Sequence, residues 1–444
     1  MVIQSEMLSN LDEGFAWIES LTNFERKPMD QREYRLDRMF ALLDAIGNPQ
    51  LCCKAVHVSG SKGKGSTAVF IACQLASLGF SAAVYSSPHV LDYRERFQMY
   101  GGILPDATLL EGIRVLHRLM RDPASAVYTL GCTTFELLTA LFFWTVRSID
   151  CDYMVLETGI GGRLDATNVL PRVEAAVCTS IELEHTDILG STYEAIAKEK
   201  AGIIKAGCPV FIGRMPPAAA EVFRSRSHSL GAPMYRLDDL ARINTAKSCI
   251  HLDAGIITPQ LQMLGAVQLE NAALAAIVVK QLQPGASLER LSTGLSSAHL
   301  LGRMQLIPGS PPVILDGAHT VHSIYRNMQS LKEVMPSGGV LVFGAVHGKN
   351  ISGMAEVLTS MFRYVVICRP GTFKPSDSVQ TAKIFRSYLP ANSVIIEDDP
   401  YIALQIATSK VTDCGQGICI TGSFFLVGKM LSAMMNSREN AQAM

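Results

Sequence analysis

The 444-residue chain carries 39 Lys and Arg against 40 Asp and Glu, with 48% hydrophobic and only 18% charged residues. Such an apolar, charge-poor composition excludes a disordered chain, and a net charge of −1 supplies no basic face for nucleic acid as the main partner. Length alone predicts two or three domains.

The chain opens on MVIQSEMLSNLDEGF, which lacks the basic-then-apolar profile of a signal peptide and carries acids that disfavour a transit peptide. KAVHVSG (54–60) reads as a strand ending in glycine, STAVFIACQLASLGF as the helix after it, and SAAVYSS (81–87) as the next strand. The most apolar stretch, Leu137 to Val146, is too short for a membrane span of about 20 residues. Further strands are expected at 152–159, 173–181 and 209–213, a hairpin region at 242–262 and a helix from Val267 to Gln283. The same grammar restarts after a Ser/Gly stretch near Ser296–Gly302, with strands at 311–319, 338–346, 364–370, 393–399 and 417–423. Alternating strands and helices predict two α/β domains, with a cleft between them as the default ligand site. The eleven cysteines are scattered, with only Cys52 and Cys53 adjacent and no C-x-x-C pair. Reduced thiols in a soluble, cytoplasmic protein without membrane partners are expected.

The segment VHVSGSKGKGST (56–67) carries the most chemistry. A strand runs into Gly60, Gly63 and Gly65, with Lys64 among them and Ser66 and Thr67 opening a helix. Glycines let backbone N–H groups wrap phosphate oxygens, the helix start favours anions, and lysine and hydroxyl reach phosphate or Mg²⁺. The general P-loop pattern is not met, since position 58 is valine and position 65 glycine. The alternative is a Gly/Ser-rich turn with a solvated lysine; the flanking strand and helix favour nucleotide phosphate.

A series of motifs extends this reading: SGSKGKGST, YSSPHVLDYRER (85–96), TTFELLTA (133–140), LETGIGGRLDATNVL (156–170), IELEHTDILGSTYEAIAKEKAGIIKAG (181–207), LGRMQ (301–305), ILDGAH (314–319) and TGSFFLVG (421–428). In these, and in their order, the chain resembles the folylpolyglutamate synthase/dihydrofolate synthase family of Mur-ligase-like, ATP-dependent amide ligases. The resemblance implies an α/β fold: a P-loop-containing N-terminal ATPase domain with a mostly parallel sheet (1–298, binding ATP and folate), and a smaller Rossmann-like C-terminal glutamate ligase domain (299–444). It implies a monomer that uses ATP to convert a carboxylate of folate, or of dihydropteroate, to an acyl phosphate captured by the amine of L-glutamate.

The site residues follow from the same resemblance. Ser61, Lys62, Gly63, Lys64, Gly65 and Ser66 would hold the phosphates, Asn271 the adenine side, and Arg303, Asp316 and His319 further parts of ATP. Two Mg²⁺ ions would take Ser87, Glu157, His185 and Lys200, the lysine as a carbamate. Thr133, Thr134, Phe135 and Glu136, with Leu164, Asp165 and Ala166, would contact the pterin. Lys64, His185 and Lys200 are the expected catalytic groups. Taken singly, each has a plainer reading: Glu157 as a solvated strand-end acid, Ser87 as a turn opening before proline, Phe135 as core, His185 as structural, Lys200 as a surface helix lysine and Asn271 as a packing polar.

The chain departs from the family's usual pattern at Lys62 (asparagine), Glu184 (aspartate) and Thr320 (asparagine), in VHGKN (346–350) for a KDKD-like segment, and in Arg35-Leu36-Asp37-Arg38 for G-L-x-R. These departures leave two alternatives standing: a Mur-type ligase for another carboxylate, and a nucleotide-binding regulatory protein impaired in catalysis.

Overall fold

Ala55, Val56 and Val58 give the run Lys54–Ser59 (β1) its apolar character, and it is buried at every position after Lys54. Such a run belongs in the middle of a parallel sheet covered on both faces. The computed structural model describes residues 8–23, 35–371 and 374–442, and the chain divides into two units. The first takes Met1–His89, Tyr93–Gln260 and Glu270–Ser297; the second takes Val90–Asp92, Leu261–Leu269 and Ala298–Met444.

In the first unit, β1 is joined by Ala82–Tyr85 (β2), Phe97–Met99 (β3), Gly102–Ile103 (β4), Tyr153–Glu157 (β5), Ala175–Cys178 (β6), Val210–Ile212 (β7) and Met234–Arg236 (β8). They form one eight-stranded sheet in the order β4-β3-β2-β5-β1-β6-β7-β8. Pairing is parallel from β2 to β8, and β3 and β4 add an antiparallel edge. The register sets Val58 beside Glu157 and Ser59 beside Cys178. The segments that follow β1, β2, β5 and β6 therefore leave the same carboxyl edge of the sheet, where open α/β sheets bind ligands. The apolar Leu137–Val146 stretch lies inside the helix Thr134–Ser148 and is buried around most of its circumference.

Two expectations need correction here. The strand at 173–181 stops at Cys178, because the hydroxyls of Thr179 and Ser180 turn to the phosphate loop instead of continuing the ladder. The hairpin region contains three antiparallel strands, Ala241–Asn244 (β9), Cys249–Leu252 (β10) and Gly255–Ile257 (β11).

The second unit holds Gln305–Ile307 (β12), Val313–Leu315 (β13), Gly339–Phe343 (β14), Phe362–Ile367 (β15), Val394–Ile396 (β16) and Gly417–Thr421 (β17). Their order is β12-β13-β17-β14-β15-β16. All pairs are parallel except that of β12 with β13. Alternate residues enter different cores: Ile314, Leu341 and Phe343 pack on one face, and Val313, Leu315, Val340 and Val342 on the other. Both faces are thus apolar, which is the requirement of a doubly wound sheet. The half-exposed edge strand β12 was missed by the sequence reading, because three residues carry too little periodicity to register. Among the described residues no helix is long and apolar enough to cross a membrane.

Candidate active site

Gly60 and Gly63 give the phosphate loop its shape, with φ of +140° and +82°. A Cβ at Gly60 would stand 1.9 Å from Thr179 Oγ1, and one at Gly63 would stand 2.4 Å from Asn271 Oδ1. Asn271 is buried and abuts the loop at Gly63. The loop is braced from behind by the segment after β6. Ser61 N donates to Ser180 O, Lys62 N donates to Ser180 Oγ, and Thr179 Oγ1 donates to Lys62 O at 2.6 Å. Gly63 caps the helix Lys64–Ser77, whose first N–H groups have no acceptor within the helix and suit an anion. Ser66 Oγ and Thr67 Oγ1 are buried without a hydrogen-bond partner; a buried hydroxyl left so is what a phosphate oxygen or a cation would satisfy.

Three cations and one carboxylate meet beside this loop. Lys200 is almost fully buried; its Nζ donates to Gly60 O at 2.8 Å and lies 3.3 Å from Glu184 Oε1. Glu184 Oε2 lies 3.3 Å from Lys62 Nζ. Burial pushes the Glu184 carboxyl up, but Lys200, Lys62 and Lys64 together draw it down to about 2. Burial, helped by the charge on Lys64 and opposed by Glu184, lowers Lys200 to about 8. Burial also lowers His185 to about 4 against the pull of Glu184, so its imidazole is neutral near pH 7. A loop leads to His185, which at φ +48° caps the four-residue helix Thr186–Leu189.

Glu157 ends β5 and is buried, which corrects the plain reading of a solvated strand-end acid. Its Oε2 accepts from Ser87 N at 3.0 Å, so the two expected metal ligands are neighbours. Among the described residues no three His, Cys, Asp or Glu side chains converge on one point. The set present fits Mg²⁺, which takes one or two carboxylates and completes its shell with water and phosphate.

The pterin-side motifs divide into inward and outward parts. Thr133 Oγ1 accepts from Glu136 N while Glu136 Oε2 accepts from Thr133 N, a capping box that starts the helix Thr134–Ser148. Glu136 Oε1 also takes Arg38 Nε at 3.0 Å, and Thr134 Oγ1 donates to Ile18 O. Asp165 is buried and accepts from Gly159 N, Ile160 N, Thr167 N and Thr167 Oγ1. The polar groups of Thr133, Thr134, Glu136 and Asp165 are therefore committed inside the protein, and Ala166 is buried. Phe135 and Leu164 remain half-buried. The Phe135 ring lies against Gly159, where a Cβ would come within 2.7 Å of it.

In the second unit, Asp316 is buried and accepts from Met304 N, Ala318 N and Asn327 Nδ2; burial raises its carboxyl above the ordinary range. The Arg303 guanidinium stacks 3.7 Å over the Phe424 ring. His319 Nδ1 donates to Gly317 O at 2.9 Å, which assigns its tautomer. Thr320 caps the helix Val321–Val334 and Asn350 the helix Ile351–Leu358, so both unusual residues serve as helix caps, which Asn and Thr perform alike. Sequence reasoning missed Asn327, whose position carries no local signal, and gave no role to Phe424, the stacking partner of Arg303, although it lies in the motif TGSFFLVG.

Residues 113–279 match the Mur ligase middle domain, and residues 302–424 match the Mur ligase glutamate ligase domain. The folylpolyglutamate synthase of Lacticaseibacillus casei is 30% identical over 445 residues, covering 97% of this chain and 100% of that protein. The chain belongs to the folylpolyglutamate synthase/dihydrofolate synthase family. The Escherichia coli dihydrofolate synthase/folylpolyglutamate synthase is 31% identical over 78% of this chain and 79% of its own length. Among solved structures, E. coli FolC in complex with DHPP and ADP matches with a TM-score of 0.84 at 26% identity, covering 97% of this chain and 99% of that one. The Mycobacterium tuberculosis folylpolyglutamate synthase complexed with ADP and AMPPCP matches with a TM-score of 0.81 at 27% identity, covering 90% and 95%. Family membership makes this chain an ATP-dependent acid–amino-acid ligase of the two-domain Mur ligase fold.

Proposed function

We propose that this ligase adds L-glutamate to a reduced folate through an acyl phosphate, with dihydropteroate as a second acceptor. The observation that carries the reading is the glycine loop at 60–67, with Lys64 beside it and two buried hydroxyls, Ser66 and Thr67, that lack partners. A carboxylate is a poor electrophile, and moving the γ-phosphoryl of ATP onto it needs the spreading charge neutralised. Lys64 and the loop amides of Ser61, Lys62, Gly63, Gly65 and Ser66 supply part of that charge. Asn271, which abuts the loop, is the proposed adenine-side contact; Arg303, Asp316 and His319 are the proposed nucleotide contacts of the second domain. Phe135 and Leu164 offer the apolar surface for a pterin ring, while Thr133, Thr134, Glu136, Asp165 and Ala166 shape that surface from within.

Two Mg²⁺ ions, held by Ser87, Glu157, His185 and Lys200, would supply further charge neutralisation at the phosphates. His185 suits this role because its imidazole is neutral. Lys200 suits carbamylation because its lowered basicity leaves neutral amine near pH 8; the carbamate would exchange its bonds to Gly60 O and Glu184 for anionic oxygens. Residues 1–298 are proposed as the ATP- and folate-binding part and 299–444 as the glutamate ligase part of a cytoplasmic monomer.

The test is glutamate-dependent phosphate release from ATP with a reduced folate, repeated with dihydropteroate and with a cell-wall precursor carboxylate. Release with the folate is expected. Release only with another carboxylate, or nucleotide binding without turnover, would overturn the reading.

A further inference from the structure

We infer that His57 is a positioning residue for folate, acting through Thr167 and Asp165 on the loop that follows Glu157. His57 lies in the middle of β1 and is fully buried, an unusual place for imidazole in a run of Ala and Val. Its Nε2 is 2.8 Å from Thr167 Oγ1, and Thr167 Oγ1 is 2.5 Å from Asp165 Oδ1. A hydroxyl has one proton. Directed at the carboxylate, it leaves Thr167 to accept from His57 Nε2–H, which fixes the tautomer and leaves Nδ1 buried without a partner.

The chain of bonds ends on backbone that matters to the site. Asp165 Oδ2 accepts from the amides of Gly159 and Ile160, the second and third residues after Glu157, the last residue of β5. Asn168 Nδ2 ties the far end of the same loop to Arg163 O and Gly202 O. One buried relay thus links the strand that feeds the phosphate loop to the loop carrying Leu164 and backing Phe135. Because β1 is the central strand, His57 gives the folate loop a rigid anchor that a loop cannot provide for itself.

This inference rests on the folate-ligase reading, and the experiment separates the two. Thr167→Val keeps the side-chain shape and removes the hydroxyl. It should raise the KM for folate about tenfold, leave the KM for ATP within about twofold, and speed amide hydrogen exchange in 159–168 but not in 60–67. Thr167→Ser, which keeps the hydroxyl, should reverse most of this. Should Thr167→Val fail to fold, His57→Leu and His57→Gln decide by the same measurements, since glutamine alone retains a donor toward Thr167. The parent protein lacking folate-dependent phosphate release would sink the ligase reading. An active parent with variants unchanged in folate KM and loop exchange, or with ATP KM rising equally, would overturn the relay.

Discussion

Lys62 Nζ stands 3.3 Å from one oxygen of Glu184, whose other oxygen stands 3.3 Å from Lys200 Nζ. The two positions depart from the family's usual asparagine and aspartate, and in the folded chain they answer each other. The cation added to the phosphate loop is balanced by a carboxylate long enough to bridge it to a buried lysine. The pairing weakens the case for an impaired protein, since the departures compensate.

In protein whose Lys200 is not carbamylated, Glu184→Gln should destabilise the fold by about 3 kcal/mol, because it strands the buried Lys200 ammonium without its counter-charge. The sign of the pH effect follows from the lowered carboxyl, about 2 in the folded state against an ordinary 4.5. Its stabilising contribution is complete above about 4.5 and is lost as pH falls toward 2. Denaturant unfolding at pH 7 and pH 3 should show the variant's deficit shrinking in acid; a deficit that is absent at pH 7 would refute the pair's role. Lys62→Asn, at the more exposed end of the bridge, should cost only about 0–1 kcal/mol.

Lys64→Ala should abolish ATP turnover, since it removes a cation that the phosphate-loop geometry dedicates to the triphosphate. Phosphate release measured with saturating folate and glutamate checks this. Near-normal turnover would remove Lys64 from the mechanism.

Glu157→Gln should raise the Mg²⁺ concentration needed for half-maximal activity by about tenfold or more, while the fold survives because Ser87 N can still donate to the amide oxygen. A magnesium titration superimposable on that of the parent would show that Glu157 is no ligand.

Gly63→Ala should weaken nucleotide binding at little cost elsewhere. The left-handed backbone, φ +82°, costs an alanine about 1–2 kcal/mol, and the new methyl displaces Asn271. Adding Asn271→Ala relieves the collision but not the backbone strain, so calorimetry of ATP binding should show only partial recovery in the double variant.

Residue order alone determined the alternation of strands and helices, the glycine loop at 60–67 and the family motifs, because strand periodicity and phosphate-wrapping glycines are local properties. It could not determine that Glu184 neutralises Lys62 and Lys200, or that His57 reaches Thr167. Those pairs are made by the parallel sheet, which brings the ends of β1, β2, β5 and β6 to one edge. Burial there then decides their charge: the same lysine that a helix surface would keep fully protonated is drawn down to about 8 beneath the loop, because desolvation exists only once the chain is folded.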